Sequence, residues 1–541
     1  MSTDHIQESS NTKIIETMLK LQDVAISLGK YNLDYLLQLC SFLSIMSFLN
    51  FKNFKKKTLS LNLWFFFNPN FIKNLSKAIL LSNSNTSKQG YFQISEFIDV
   101  CNRLKDINTL VYNEDVPGTH NLMLAAIANT QVYYQEADFA REIGRSLLIY
   151  DQIPEKYGLK NEKWIDVFQL FHDRYNMPIS QISPHVLALV MHIEKRYNSI
   201  NEELEKTPER MLPQALLSRF HSLMAQQNDC TISITDEDIP EDMYHALCKY
   251  YDSISVTLRD VKSLVRSVNS RVMMSDWHPF RVHPLVTVAE HQYIVPSIWE
   301  LVEHTKKLHF NIVENLNEDQ IKQLYTNLGF SYEKYAFDYM VTKHPHEKII
   351  PESNFNKSDL GPDITILDVD ANTGVFIEVK SSSLPLPSRN DPMLWDGKLS
   401  ELVALVDKLQ RKAERVFHKE GDYGQYEQQI DQCLIENSIL VVVCGNLGYF
   451  FDAILIDKYK STHPGSSTNN ILFLDIIGIE NLIEYSSQNG MTLSQAFKRL
   501  IDIQSSVIKD TNIKDAFSQY NRKTTPWYSA FKNNMKDHSS S

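Results

Sequence analysis

The sequence predicts an α+β, or α/β, protein, with a large and mostly helical N-terminal region followed by a mixed-sheet domain towards the C-terminus. Three observations carry this expectation. Apolar residues recur at helical spacing through residues 13–310, for example over 121–134, 137–150, 163–175 and 183–197. Between residues 363 and 380 the pattern changes to short β-branched and apolar runs on either side of turn chemistry. Beyond these, residues 439–444 and 471–476 are continuous apolar runs of the kind that fill a central buried strand. Helical stretches over 452–459, 479–486 and 493–503 separate or follow them.

At 541 residues the chain is long enough for two or three domains. The expected division is a disordered N-terminus over 1–12, a helical recognition or regulatory region over 13–310, the sheet domain over 315–505, and a C-terminal helix or tail over 506–541. A subdivision is expected near 82–90, where Ser82-Asn83-Ser84-Asn85-Thr86-Ser87 reads as a polar loop. No repeat period emerges, which argues against a helical solenoid. The apolar stretch 36–51 is shorter than the ~20 residues needed to span a bilayer. Its Gln38, Ser41, Ser44, Ser47 and Asn50 form a polar stripe, so a core helix is expected there. A helix over 255–274 would carry Arg259, Lys262, Arg266 and Arg271. His278, His283 and His291 fit no familiar metal-ligand spacing and read as loop histidines.

Composition is ordinary, at 43% hydrophobic and 22% charged residues, and the net charge of −12 argues against indiscriminate coating of nucleic acid. Local basic patches still govern contact with a polyanion. Six cysteines are scattered without a Cys-x-x-Cys pair, which favours a reducing cytoplasm over a zinc ribbon or a disulfide framework. The first residues are polar and acidic, so neither a signal peptide nor a membrane partner is expected, and the expected localisation is cytoplasmic. No Gly-x-x-x-x-Gly-Lys-Ser/Thr loop is present.

The chemistry concentrates in one segment. Gly361-Pro362-Asp363 opens the run Ile364-Thr365-Ile366-Leu367, a strand start after a Gly-Pro break. Asp370-Ala371-Asn372-Thr373-Gly374 is turn chemistry, with Gly374 available for positive φ. Val375-Phe376-Ile377-Glu378-Val379-Lys380 then reads as the returning strand. Residues two apart in a strand share a face, so Glu378 and Lys380 point the same way. The hairpin returns them towards Asp363, and three ionisable groups converge beside apolar strands. Carboxylate oxygens suit a hard divalent cation, and an ammonium suits a water or a phosphate oxygen nearby. An exposed hairpin with a surface Glu378–Lys380 ion pair is the alternative.

Pro362-Asp363 and Glu378-Val379-Lys380 resemble the signature of the PD-(D/E)xK nuclease superfamily, the restriction-endonuclease-like fold. The resemblance covers residues 315–505. It implies that Asp363 and Glu378 hold Mg²⁺, with Mn²⁺ able to substitute, helped by the backbone carbonyl of Val379. It implies that Lys380 positions or activates water. A glutamate on the helix before the hairpin joins the metal in many members. Glu333 is the candidate here, and a solvated helix-face glutamate is its equal alternative. Helical spacing of apolar residues over 321–328 and, after Gly329, a second stretch over 332–340 supply that helix.

After the hairpin, Pro385 and Pro387 keep a loop out of helix, and a helix follows over 399–417. Lys408, Arg411, Lys412 and Arg415 lie on its outer positions, with Lys419 just beyond and Gln410 on the same helix. Of these, Gln410, Arg411 and Lys412 are the candidate nucleic-acid contacts, and a solvated charged face is the alternative. A Gln-x-x-x-Tyr pattern of some branches is not matched, since Glu414 follows Gln410. The functional expectation is an enzyme: a Mg²⁺-dependent DNA endonuclease acting on double-stranded DNA in bacterial anti-phage defence or restriction. A homodimer or a defence-system partner protein would act with it. The alternatives are a repair or recombination nuclease, a catalytically silent nucleic-acid-binding module of the same fold, and a scaffold in which the motif is a coincidence.

Overall fold

The computed structural model describes residues 3–54, 69–111, 139–226, 231–233, 241–266, 268, 273, 277–306, 316–354, 361–383, 395–419, 424–446, 451–464, 470–506 and 521–539. The chain is mixed α and β and forms two compact units, Met1–Phe139 with Gln169–Ile312, and Ala140–Phe168 with Val313–Ser541.

In the first unit the helix Leu33–Phe54 is packed by the helices Pro69–Leu81, Ile179–Glu205 and Ile298–Lys306, and the helix Thr3–Leu28 packs on Pro69–Leu81 and Ile94–Val111. It is buried all round across residues 35–49, as expected of a core helix, and its serines explain the polar stripe. Ser44 Oγ accepts from the backbone N–H of Ile298 at 2.9 Å, and Ser47 Oγ from the Trp299 indole at 3.2 Å. Among the described residues no helix is long and apolar enough to cross a membrane. The helix Thr3–Leu28 starts inside the stretch 1–12 expected to be disordered; Leu21, Val24 and Leu28 anchor it in the core and the helix propagates towards the N-terminus.

This unit also holds a sheet that helical spacing did not reveal: β1 (Thr231–Ser233), β2 (Ser255–Thr257), β3 (Leu285–Ala289) and β4 (Gln292–Ile294), in the order β1-β4-β3-β2. The helix expected over 255–274 is therefore corrected. Its first residues pair in parallel with β3, turns follow, and the helix Ser263–Arg266 comes after them. Lys262 donates to the Ser82 and Ser84 carbonyls and is internal to the unit. Arg271 and the stretch 121–134 lie outside the described residues.

The second unit is built on a five-stranded sheet, β5 (Lys348–Pro351), β6 (Ile364–Asp368), β7 (Thr373–Ser383), β8 (Ile439–Asn446) and β9 (Ile471–Asp475), in that order. β5, β6 and β7 run antiparallel to their neighbours, and β7, β8 and β9 run parallel. Side chains of both parities are buried along β7, β8 and β9, so both faces must be covered. Helix α1 (Glu318–Lys343) covers β7 with α4 (Ile476–Gln488) beside it; α2 (Trp395–Phe417) covers β7 and β8 with α3 (Phe451–Thr462) beside it. α1 runs unbroken through Gly329, where two stretches were expected, and starts at a capping box between Asn317 and Gln320. The positive φ of the hairpin falls on Asn372 (φ 48°), not Gly374. Gly374 is needed for space, because a Cβ there would lie 2.9 Å from the Phe376 ring.

Residues 140–168, grouped by sequence with the helical region, belong to this second unit. The reason is a buried ion pair. Arg145 donates to both oxygens of the fully buried Glu480, at 2.6 and 2.9 Å, and Tyr335 on α1 donates to the same carboxylate at 2.7 Å. The C-terminal helix Pro526–Ser539 docks alongside, with the Arg141 guanidinium over the ring of the fully buried Trp527. Arg145→Leu leaves Glu480 buried without its bidentate partner and is expected to cost about 3–5 kcal/mol, read as a lower urea midpoint for the second unit. An unchanged midpoint would mean that segment 140–168 contributes nothing to its stability.

Candidate functional site

The site forms at one end of the sheet, where three acidic residues fall on neighbouring positions of three adjacent strands. Pro351 pairs with Ile364, and the next backbone N–H, that of Glu352, donates to the Asp363 carbonyl at 3.1 Å. Ile364 pairs with Ile377, which sets Asp363 beside Glu378. Glu352, Asp363 and Glu378 thus share one rung across β5, β6 and β7. From α1, Glu333 joins them: one oxygen each of Glu333, Glu352 and Asp363 lie within 4.8 Å of one another. Glu378 is fully buried and faces lysines.

Like charges on one rung repel, and burial strengthens the repulsion. Two ammonium groups answer it. Lys380 Nζ lies 2.7 Å from Glu378 Oε1 and 3.8 Å from Asp363 Oδ2. Lys412 Nζ, reaching in from α2, lies 3.0 Å from Glu378 Oε2, 3.8 Å from Asp363 Oδ1 and 3.7 Å from Glu352 Oε1. At the rim, Lys334 pairs with Glu333 at 2.7 Å, and Lys408 lies 3.8 Å from Glu378. The backbone N–H of Val379 donates to Asp363 Oδ2 at 2.7 Å and fixes that carboxylate at the strand end. Of the two central lysines, Lys380 keeps a third of its side chain exposed, whereas that of Lys412 is 6% exposed.

The electrostatics are unequal across the cluster. Burial, and then the charge of Glu378, push the Asp363 carboxyl up to about 7. Burial also works to raise Glu378, but Lys380 and Lys412 outweigh it and hold that carboxyl below its ordinary value. The lysines in turn stay above theirs: burial opposes their charge, and Asp363 and Glu378 more than offset it.

The structure therefore brings together Asp363, Glu378, Lys380 and Glu333. Gln410 and Arg411 stand apart on the exposed side of α2, Gln410 bonded to Glu414 at 3.1 Å and Arg411 to the Asp407 carbonyl at 3.2 Å. Lys412, expected among the outward nucleic-acid contacts, is corrected: helical rotation turns it inward to the carboxylates. Glu352 was not foreseen. Its only signal is an acid directly after the short run Lys348-Ile349-Ile350-Pro351, a proline being tolerable on an edge strand. His278 is buried in the first unit and its Nδ1 accepts from the Phe280 N–H. No protein-family model, curated protein or solved structure matches the chain.

The oxygen-only donor set fits a hard divalent cation. Without metal, the raised Asp363 pKa has a sign that can be tested. A carboxyl with a higher pKa folded than unfolded contributes stability at low pH that is lost as pH rises through about 7. In EDTA, Asp363→Asn is expected to melt several degrees above wild type at pH 8, the gap narrowing by pH 5. Calorimetry showing a constant or reversed gap would mean that the lysines fully compensate the Asp363 charge.

Proposed function

We infer that this protein is a Mg²⁺-dependent nuclease of the PD-(D/E)xK type, with a restriction-endonuclease-like second unit and DNA as its substrate. The observation that carries the reading is the meeting of Asp363, Glu378 and Lys380 at one strand end, with Glu333 and Glu352 completing an oxygen donor set. The succession of a helix, the hairpin β6–β7, a second helix and then the parallel strands β8 and β9 supports the reading.

Glu333, Glu352 and Asp363 would hold the Mg²⁺, with Glu378 and the Val379 carbonyl as the further ligands implied by the resemblance. Bound there, the ion supplies Lewis acidity at the phosphate and lowers the pKa of a bound water. Lys380, a third exposed and otherwise held against the carboxylates, is placed to donate to the attacking water or to a phosphate oxygen. Lys412 keeps Glu378 ionised and oriented. Lys408, Arg411 and Arg415 on the outer side of α2 supply phosphate contacts that the overall charge of −12 does not. Among bacterial roles, anti-phage defence or restriction is the reading that joins such a domain to a helical region able to recognise a trigger.

The test is cleavage of supercoiled plasmid with Mg²⁺, Mn²⁺ or EDTA. Metal-dependent nicking or linearisation is expected. Asp363→Ala and Lys380→Ala should each reduce it by on the order of 10²–10³-fold. Cutting that survives both substitutions would move the active site elsewhere. Specific metal-independent DNA binding without cutting would turn the reading to a silent module.

A further inference from the structure

Lysines are almost never fully buried unless they are paired, yet the side chain of Lys412 is 6% exposed. The cause lies in α2. Leu409, Ala413 and Val416 are buried on the face that packs against the sheet, and Lys412 falls among them at helical spacing. Helical rotation therefore fixes where its ammonium goes. Its neighbours in the cluster are less confined: Lys408 is half exposed and Lys380 a third exposed, so both can turn towards water.

The Lys412 ammonium stands where three adjacent strands each deliver an acid. Nζ lies 3.0 Å from Glu378 Oε2, 3.8 Å from Asp363 Oδ1 and 3.7 Å from Glu352 Oε1. A cation enclosed by one oxygen from each of three carboxylates takes the kind of place a metal ion takes. Two metal ions about 3.5–4 Å apart would have to draw on these same acids, with Asp363 between them. Asp363 Oδ2 already accepts from the Val379 N–H at 2.7 Å, and its Oδ1 faces Lys412. Glu378 is committed as well, with Lys380 at 2.7 Å from one oxygen and Lys412 at 3.0 Å from the other. On the far side, one oxygen each of Glu333, Glu352 and Asp363 lie within 4.8 Å of one another, close to the span of one octahedral ion.

We propose that the site takes a single divalent cation, and that Lys412 is a built-in positive charge in the place of a second. The inference rests on the metal-dependent reading and deepens it. The ion is held from the Glu333 side, and Lys412 balances the acids on the Glu378 side without exchanging with solvent. Lys412 acts through Glu378, Asp363 and Glu352 and is a positioning residue.

The test is a titration of the full chain with Mn²⁺, the free ion being counted by electron paramagnetic resonance. Ions at the site are those lost when Asp363→Ala is added to the same protein, which removes adventitious surface binding from the count. Wild type should hold one ion, and so should Lys412→Arg, which keeps the charge. Lys412→Ala and the milder Lys412→Gln, both neutral, should each hold two. A merely structural role for Lys412 would lower the melting temperature without adding an ion. Two site ions in wild type would overturn the proposal and leave the metal-dependent reading standing, a count that does not depend on whether the Lys412 variants fold. One ion in both neutral variants, each still melting cooperatively, would also overturn it. No site ion in wild type would overturn the metal-dependent reading together with the proposal.

Discussion

The second unit is organised around an electrostatic conflict: Glu352, Asp363 and Glu378 occupy one rung of three adjacent strands, and Glu333 adds a fourth carboxylate from a helix. Opposed like charges work against a sheet, and burial leaves little water to screen them. Such an arrangement persists only if the fold delivers compensating charge to the same point. Lys380 does so from the strand itself, two residues beyond Glu378, and Lys412 does so from the covering helix.

The surrounding architecture follows from where that charge must arrive. β7 is the strand on which the sheet changes from antiparallel to parallel, so it is flanked on both sides and its residues from Thr373 to Val379 are buried. α1 and α2 each cross it, one bringing Glu333 and the other Lys412. Burial, and then the charge of Glu378, leave Asp363 holding its proton into the neutral range.

Legibility in the sequence tracked the range of the interaction. Asp363, Glu378 and Lys380 were readable because a strand alternates with period two and a hairpin folds back on itself, both local rules. Glu352 was not, because it lies just past a strand of only four residues and its place depends on that strand's register with β6 rather than on a pattern of its own. Lys412 was misassigned because α2 carries charge on more than one side, and only the sheet beneath it decides which side is inward. The Gly374 turn failed differently: Asn372 tolerates the left-handed conformation, and the glycine answers a ring. In the first unit, strands of three residues such as β1 and β2 are too short to imprint a period, so helical spacing on either side hid the sheet.

The pairing of Arg145 with Glu480 joins residues 335 positions apart. During synthesis the arginine leaves the ribosome long before the carboxylate that will neutralise it, so the second unit cannot close as its own residues emerge in one stretch. The polypeptide enters this unit at Ala140, leaves it at Phe168 and returns at Val313. Non-local closure of this kind is slow, because loop entropy is lost before contacts repay it. Cutting the gene at a simple C-terminal boundary would therefore discard a structural part of the very domain such a fragment is meant to isolate.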